Sequence, residues 1–407
     1  DEVALQALAA EHGVHYFLEG SVHRAGEWTS ITAKLVDAHS GFTLWSEAFE
    51  RPLQELFEVR EEICESVVTA LSVKLQVGYP GRLIGSTDNV HAFRLLNQAW
   101  EEFDEGTPES HVRAIELARR AVEADPDYAR GWWFLSVLYS LAKIYVDPLG
   151  QVDWHEMALH ALEEARRVEP AMPLILSSMT YLLTQMHRWG DVEALVRETG
   201  QSPQDMDWEL ALSYAGFLLH VGRVSEAVPI LERLSLLRPT QIMPFAHDLA
   251  WAYLFQGDAQ RALQLLEQAW NALDPPGALL TQAGLLAALA AGDGEGIDLW
   301  LERMAELGPL PGAEGFVEAM SDHAGDRLAA LAWLRQRFRQ TEKSDFLVSL
   351  WAAYLGDERL ALDAMLRNPN TWALWHPLLS PVRDEADFRE VVRRLGLEDY
   401  WRKFTWS

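Results

Sequence analysis

From residue 90 to the C-terminus, apolar side chains recur at the three- and four-residue spacing of helices, and glycine breaks this pattern at nearly constant intervals. Six of these breaks are a Gly-Asp or Gly-Arg dipeptide, at Gly190-Asp191, Gly222-Arg223, Gly257-Asp258, Gly292-Asp293, Gly325-Asp326 and Gly356-Asp357. The successive glycines lie 32, 35, 35, 33 and 31 residues apart. Four of the six are followed five residues later by an alanine: Ala227, Ala262, Ala330 and Ala361. A glycine that ends one helix, followed by a small residue on the next, predicts a closely packed helix pair repeated along the chain.

Other spacings in the same region carry a family signature. Trp132, Leu135, Ser136 and Tyr139 are followed by Ala158, Ala165 and Pro170, and the offsets of this second group recur at Ala114, Ala121 and Pro126. These motifs resemble the tetratricopeptide repeat, a helix pair of about 34 residues. The resemblance implies an α-solenoid of about eight helix pairs over residues 90–370. It also implies an insertion near residues 144–153 and a C-terminal capping segment over residues 371–407.

The first 77 residues follow a different pattern. Apolar periodicity predicts helices over residues 1–11 and 53–77, and alternating positions predict strands near 14–24, 28–37 and 42–49. The predicted order is α-β-β-β-α, a small α/β domain. Residues 78–89 concentrate Gly, Pro, Ser and Asn, which favour turns, so a linker is predicted there. The predicted fold class is therefore mainly α, an α-solenoid preceded by this small domain.

Three runs in the first domain resemble a second family. Gly13–Val22, Ile31–Ala38 and Leu44–Glu47 are similar to the domain related to the amino-terminal part of TolB and to the flagellar protein FlgO. Relatives begin with a further strand and helix, so the resemblance implies a partial domain here. In bacteria this domain commonly lies between a signalling output domain and tetratricopeptide repeats. The resemblance therefore implies an output domain upstream of Asp1, of the class III adenylate cyclase, TIR or winged-helix type.

Composition limits the possible functions. The chain has 407 residues, 49% of them hydrophobic, and a formal net charge of −27 at pH 7. Nucleic-acid binding depends on Lys and Arg that neutralise phosphates, so no nucleic-acid contact is expected. The single cysteine, Cys64, excludes an intramolecular disulfide, and no motif for a metal, a cofactor or a catalytic nucleophile is found. We predict no cofactor, no catalysis within these residues and no membrane span, with a cytoplasmic location and the periplasm as the alternative.

The concave face of such an array is where function is expected, because the first helices of the pairs line it. The family pattern places ten residues on this face: Trp133, Val137, Leu212, His220, His247, Trp251, Phe255, Phe346, Leu350 and Tyr354. One hypothesis is that they hold an extended or helical peptide, with the aromatic side chains as anchors. The other is that they pack against the neighbouring repeat.

Three functions are compatible with this organisation. The first is a non-catalytic sensor or scaffold that binds a protein or peptide through the concave face and regulates a signalling output domain. The second is the regulatory portion of a class III adenylate cyclase, or of a TIR or winged-helix protein. The third is a periplasmic binding protein of the TolB kind. Three strands alone leave a sheet edge with unpaired backbone groups, so residues 1–77 are predicted to contact another copy or a partner.

Overall fold

The protein is described by a computed structural model. The described residues are 16–25, 28–37, 43–52, 87, 89–146, 152–237, 242–272, 278–307, 327–340 and 346–404. The chain divides into two compact units, residues 1–86 and 87–407. Both helices predicted for the first domain, and nearly all of the predicted linker, lie outside the described residues.

The first unit contains an antiparallel sheet with the strand order β1-β2-β3. The strands are β1 (Tyr16–Ala25), β2 (Trp28–Asp37) and β3 (Thr43–Pro52). The two-residue connection between β1 and β2 brings Ala25 opposite Trp28, and the pairing between β2 and β3 shifts register between Leu35 and Val36. The three predicted strands are confirmed, although the third continues to Pro52 instead of ending at Phe49.

The second unit is a succession of helix pairs, and the predicted α-solenoid is confirmed. The described part contains seven complete pairs: α1 (Val90–Asp104) with α2 (Pro108–Ala124), α3 (Ala129–Tyr145) with α4 (Trp154–Val168), α5 (Pro173–Gln185) with α6 (Trp189–Thr199), α7 (Trp208–His220) with α8 (Val224–Leu237), α9 (Ile242–Phe255) with α10 (Ala259–Ala272), α11 (Ala278–Ala291) with α12 (Gly294–Leu307), and α14 (Phe346–Tyr354) with α15 (Glu358–Arg367). A further helix, α13 (Arg327–Gln340), stands between the last two pairs, and its expected partner falls in residues 308–326, outside the described ranges.

The C-terminal residues form a capping segment of shorter elements. These are α16 (Thr371–Leu374), a 3₁₀ helix (Pro377–Val382), α17 (Ala386–Arg394) and α18 (Leu397–Lys403). The segment packs against α14 and α15 and also reaches α6 and α7, far back in the sequence.

The glycines of the repeated dipeptide end the first helices, as predicted. Gly222, Gly257, Gly292 and Gly356 all have positive φ angles, from 65° to 84°. The residue after each glycine donates its N–H to a carbonyl five positions earlier, as Arg223 does to Leu218 at 2.8 Å. This arrangement satisfies carbonyls that the helix end would otherwise leave unpaired. Gly325 lies outside the described residues.

The prediction that Gly190 ends a helix is wrong. His187 occupies the left-handed position in that pair, with φ 56°, and the Arg188 N–H donates to the Leu183 carbonyl at 2.8 Å. Gly190 instead lies in the first turn of α6. Histidine is among the few non-glycine residues that tolerate a positive φ, which hides this helix end in the sequence. The interval to Gly222 becomes 35 residues, equal to the next two.

The second helices approach the first through small side chains. Ala227, Ala262, Ala330 and Ala361 are all buried. Leu, Met and aromatic side chains fill the space around them and form one hydrophobic core along the array. The predicted pairing of a helix-ending glycine with a packing alanine is therefore confirmed at the described positions.

Candidate functional site: the inner face and the segment that covers it

Each described first helix from α5 onward is followed by a residue with positive φ, and counting back from that residue aligns equivalent positions in different helix pairs. Positions ten, six and two residues before it are four apart, so they lie along one face of the helix. We call this set the inner face. In the described pairs from α5 onward it comprises Ser177, Tyr181 and Gln185; Leu212, Gly216 and His220; His247, Trp251 and Phe255; Gln282, Leu286 and Ala290; and Phe346, Leu350 and Tyr354.

The predicted concave-face residues differ in accessibility. Seven are half-buried: Trp133, Val137, Leu212, His220, His247, Phe255 and Tyr354. The side chain of Phe346 lies outside the described part of the structure. Trp251 and Leu350 are 2% and 0% exposed, so the expectation that they line an open face does not hold. Their role in partner binding stays a prediction, and a neighbouring segment would have to move to expose them.

Trp133 joins two consecutive helix pairs. Its Nε1 donates a hydrogen bond to the Ser178 hydroxyl at 2.9 Å. Its ring centroid lies 6.3 Å from that of Trp100, which in turn stacks on Phe134 at 3.7 Å. This is the packing role that the sequence left as an alternative.

The aromatic residues of α9 hold a tryptophan from the capping segment. Trp372, in α16, lies with its ring centroid 5.4 Å from that of Trp251 and 5.9 Å from that of Phe255. It meets His220 edge-on at 4.9 Å and His247 at 6.1 Å. We call His220, His247, Trp251 and Phe255 the tryptophan pocket. All four were predicted for the concave face, and the aromatic residue that they hold, Trp372, belongs to the same chain.

Hydrogen bonds fix the pocket walls. Trp251 Nε1 donates to Nε2 of His247 at 3.1 Å, so the other ring nitrogen of His247 carries the proton and donates to Asp248 at 3.0 Å. On the opposite wall, Nδ1 of His220 bonds with the hydroxyl of Thr371, next to Trp372. Burial lowers the pKa of His220 to about 3, so its ring is neutral at physiological pH.

His376 lies directly behind the pocket and is completely buried, with its ring centroid 5.7 Å from that of Trp251. Nδ1 accepts a hydrogen bond from the Leu378 N–H at 3.3 Å, whereas Nε2 has no partner. Burial lowers the pKa of His376 to about 3, with a smaller contribution from the Arg383 cation. Arg383 donates to the carbonyl of Trp375 at 2.7 Å, but its buried Nε is likewise unpartnered.

Indole groups make a second connection between the capping segment and the ends of α6 and α7. Trp375 Nε1 donates to the His220 carbonyl at 3.2 Å, and Trp401 Nε1 donates to the Val221 carbonyl at 3.1 Å. In the other direction, Trp189 Nε1 donates to the Leu395 carbonyl at 2.8 Å. These bonds satisfy carbonyl groups at helix ends that have no partner within their own helix.

A polar network lies beside these indoles. The Arg223 guanidinium bonds to Glu193 at 2.5 Å and to the Tyr400 hydroxyl at 3.0 Å, and that hydroxyl donates to Glu193 at 2.8 Å. Burial raises the pKa of Tyr400 above its usual range, so the phenol stays protonated and can donate. The network ties α18 to α6 and to the turn just before α8.

Other kinds of site are not apparent in the described ranges. No group of three or more His, Cys, Asp or Glu side chains in those ranges is arranged to hold a metal ion. None of the helices over the same residues combines the length and the apolar character needed to span a membrane. Cys64 lies outside the described part of the chain.

One residue of the inner face and the residue that covers part of this face were not predicted from the sequence. Tyr181 is 57% exposed and stands six residues before His187, the register position that Trp251 occupies in its own pair. Taking Gly190 as the helix end hid that equivalence. Trp372 was assigned only to a capping segment. The signal that could have found it is the Asn370-Thr371-Trp372 sequence, a helix cap followed by an aromatic residue just beyond the last repeat.

The chain is similar to known proteins over parts of its length. No family model matches the chain. It is 33% identical over 136 residues to a protein of Rhizobium meliloti (strain 1021) that bears the provisional name adenylate cyclase 3. The match covers 33% of this chain and 23% of that protein, so the chain spans about a quarter of its relative's length. The crystal structure of PilW, a widely conserved type IV pilus biogenesis factor, covers 53% of this chain and 93% of PilW, with a TM-score of 0.44 and 16% identity.

Proposed function

We propose that this chain is a non-catalytic scaffold or sensor that binds a protein partner through its inner face and regulates a signalling output domain. The observation that carries this proposal is the tryptophan pocket, in which residues from two helix pairs surround an aromatic side chain of a distant segment. Buried aromatic anchors contribute most of the binding energy at many protein interfaces. A face that binds its own tryptophan in this way has the chemistry to bind a partner.

The uncovered part of the same face gives the clearest test. Trp251 is unsuitable, because truncating a buried tryptophan costs about 3–5 kcal/mol of stability. The side chain of Tyr181 is 57% exposed, so Tyr181→Ala should leave the array intact. Leu236→Ala is the matched control, since Leu236 is 83% exposed on a second helix.

The experiment uses the purified full chain as bait in a lysate of the native host. Bound proteins are fixed by chemical crosslinking and identified by mass spectrometry. The wild type and Leu236→Ala should recover the same partner, and Tyr181→Ala should recover roughly tenfold less, the loss expected for a moderate interface anchor. Equal recovery by all three proteins would contradict binding through the inner face.

An alternative is that the chain is the regulatory portion of a class III adenylate cyclase. The observation in its favour is the 33% identity to the Rhizobium meliloti protein with that name. The test is cyclic-AMP formation by the complete polypeptide that the gene encodes. Cyclase activity that changes with Tyr181→Ala would support a regulatory role for the inner face in such an enzyme. A complete polypeptide without cyclase activity would remove this alternative and leave the scaffold.

A further inference from the structure

The occupant of the tryptophan pocket is presented by a single helical turn. Asn370 caps α16 by accepting a hydrogen bond from the Trp372 N–H at 2.8 Å. Thr371, the first residue of that turn, bonds with Nδ1 of His220 through its hydroxyl. The pocket therefore receives a hydroxyl residue and a tryptophan in adjacent positions.

The walls of the pocket are largely built without their occupant. His247, Trp251 and Phe255 are spaced four residues apart on α9 and share one face of that helix. The indole N–H of Trp251 is already satisfied by His247, and the Trp251 and Phe255 rings lie 5.5 Å apart. The local contacts of α9 thus position three of the four pocket residues, whatever side chain lies between them and His220.

The occupant is held by contacts between parts of the chain that are far apart in sequence. Thr371 and His220 are 151 residues apart in sequence, so their contact is not part of the nearest-neighbour packing of the repeats. In the same segment, His376 Nε2 and Arg383 Nε are buried without a hydrogen-bond partner. Burying unpaired polar groups costs free energy, which favours release of the segment when another occupant is present.

We propose that the tryptophan pocket is a recognition site for a partner segment in which Ser or Thr precedes Trp at the start of a helical turn. The chain's own Thr371–Leu374 occupies the site until such a segment competes for it. This inference rests on the proposed function, because it names the chemistry of the partner and a means of regulation. Binding of the partner would release the capping segment from the middle of the array.

The test measures exchange of the occupant on the full chain. The probe is a dye-labelled synthetic peptide of residues 368–383, followed by fluorescence anisotropy. Trp372→Ala empties the pocket, so this variant should bind the peptide at least roughly tenfold more tightly than the wild type, whose tethered segment competes at high effective concentration. A peptide with Ala at position 372 should lose roughly tenfold or more in affinity, because it lacks the anchor.

Trp132→Ala is the control variant. Trp132 is a half-buried tryptophan on α3, and its Nε1 donates to the Pro126 carbonyl at 2.9 Å, away from the pocket. This variant should bind the peptide as weakly as the wild type. Equal tightening in Trp132→Ala and Trp372→Ala would overturn the proposal, because loosening of any helix pair would then produce the effect.

A folded Trp372→Ala protein that does not bind the peptide overturns the proposal, since the pocket would then be only a packing contact. If Trp372→Ala does not fold, Thr371→Val replaces only the hydroxyl that bonds His220 with a methyl group and must still increase peptide binding measurably. A wild-type dimer that Trp372→Ala abolishes would assign the pocket to a second copy of the chain and also overturn the proposal.

These outcomes are separable from those of the scaffold test. The peptide experiment uses no partner, so its failure leaves the Tyr181→Ala result standing. Conversely, loss of partner recovery without any peptide exchange would place binding on the uncovered part of the inner face and not in the tryptophan pocket.

Discussion

Two glycines in the middle of first helices should respond in opposite ways to the same substitution. Gly284 lies in α11, and a Cβ built on it would stand 2.2 to 2.4 Å from three atoms of the Trp300 ring. Gly216 lies in α7, and a Cβ there would have no neighbour within 4 Å. Replacing either glycine by alanine removes the same backbone flexibility, so the surroundings decide the sign of the change in stability.

The Trp300 ring cannot move aside easily. It is 1% exposed and meets Trp270 edge-on at 5.7 Å. The Arg303 guanidinium lies 4.5 Å from its ring centroid and forms two hydrogen bonds with Glu267, at 2.6 and 2.8 Å. A methyl group at position 284 must therefore displace a ring that is held on several sides.

The magnitude follows from two opposing effects. Alanine in place of glycine favours a helix by about 1 kcal/mol. Overpacking a well-filled core costs about 1–3 kcal/mol, and the overlap with three ring atoms puts this site at the upper end. We expect Gly284→Ala to destabilise the array by about 2 kcal/mol, and Gly216→Ala to stabilise it by up to about 1 kcal/mol.

The assay is urea unfolding of both variants and the wild type, followed by far-UV circular dichroism. A repeat array need not unfold in one step, so hydrogen exchange in α11 should be measured as well. Faster exchange there in Gly284→Ala alone is the expected local result. A Gly284→Ala protein as stable as Gly216→Ala would refute the assigned packing of α11 on α12.

Four further predictions concern other parts of the chain. Because burial lowers the pKa of His376 from an ordinary 6.5 to about 3, the unfolded chain takes up the proton first as the pH falls. The contribution of His376 to stability is therefore full above about pH 6.5 and declines below it. The non-titrating variant His376→Asn should flatten the decline in the free energy of unfolding, obtained from urea titrations at each pH, by about 1.4 kcal/mol per pH unit. The His187→Gly protein should be more stable than the His187→Ala protein by about 1 kcal/mol, because glycine adopts a positive φ without the steric strain that alanine suffers there. Equal urea midpoints for the two variants would contradict the assigned helix end. Ala262→Trp should overpack its helix pair and cost about 3 kcal/mol, and an unchanged thermal melt would argue against the repeat register. Residues 1–78 expressed alone should aggregate through the outer edges of β1 and β3, which pair with no further strand among the described residues. A monomeric fragment that melts cooperatively would argue against an assembly contact there.

The features that the sequence predicted well are local ones. Strand alternation, the glycine that ends a helix and the alanine that packs five residues later each depend on a few adjacent residues. They located three strands and the helix pairs at the described positions. The error at Gly190 has the same origin, because the pattern assumed glycine wherever φ is positive and His187 satisfies the same backbone requirement.

The covering of the inner face could not be predicted in this way. The repeat register shows that Trp251 lies on the inner face of its helix. Trp372 lies in the capping segment, which is not a repeat, so the repeat spacing cannot predict that the two residues meet. The Trp189 N–H reaches the Leu395 carbonyl across 206 residues, and such pairings leave no local pattern in a single sequence. The burial of Trp251 could therefore be learned only from the tertiary structure.

The separation between local and distant contacts also bears on regulation. Each helix pair packs against its neighbours in sequence, as expected of a repeat array. The contacts of Trp372 and Trp375 instead join parts of the chain that are far apart in sequence. In the proposed exchange, a competitor replaces the contacts that Trp372 makes in the tryptophan pocket. The most aromatic part of the inner face is thus covered by a residue from outside the repeats, and the proposed exchange with a partner segment depends on this arrangement.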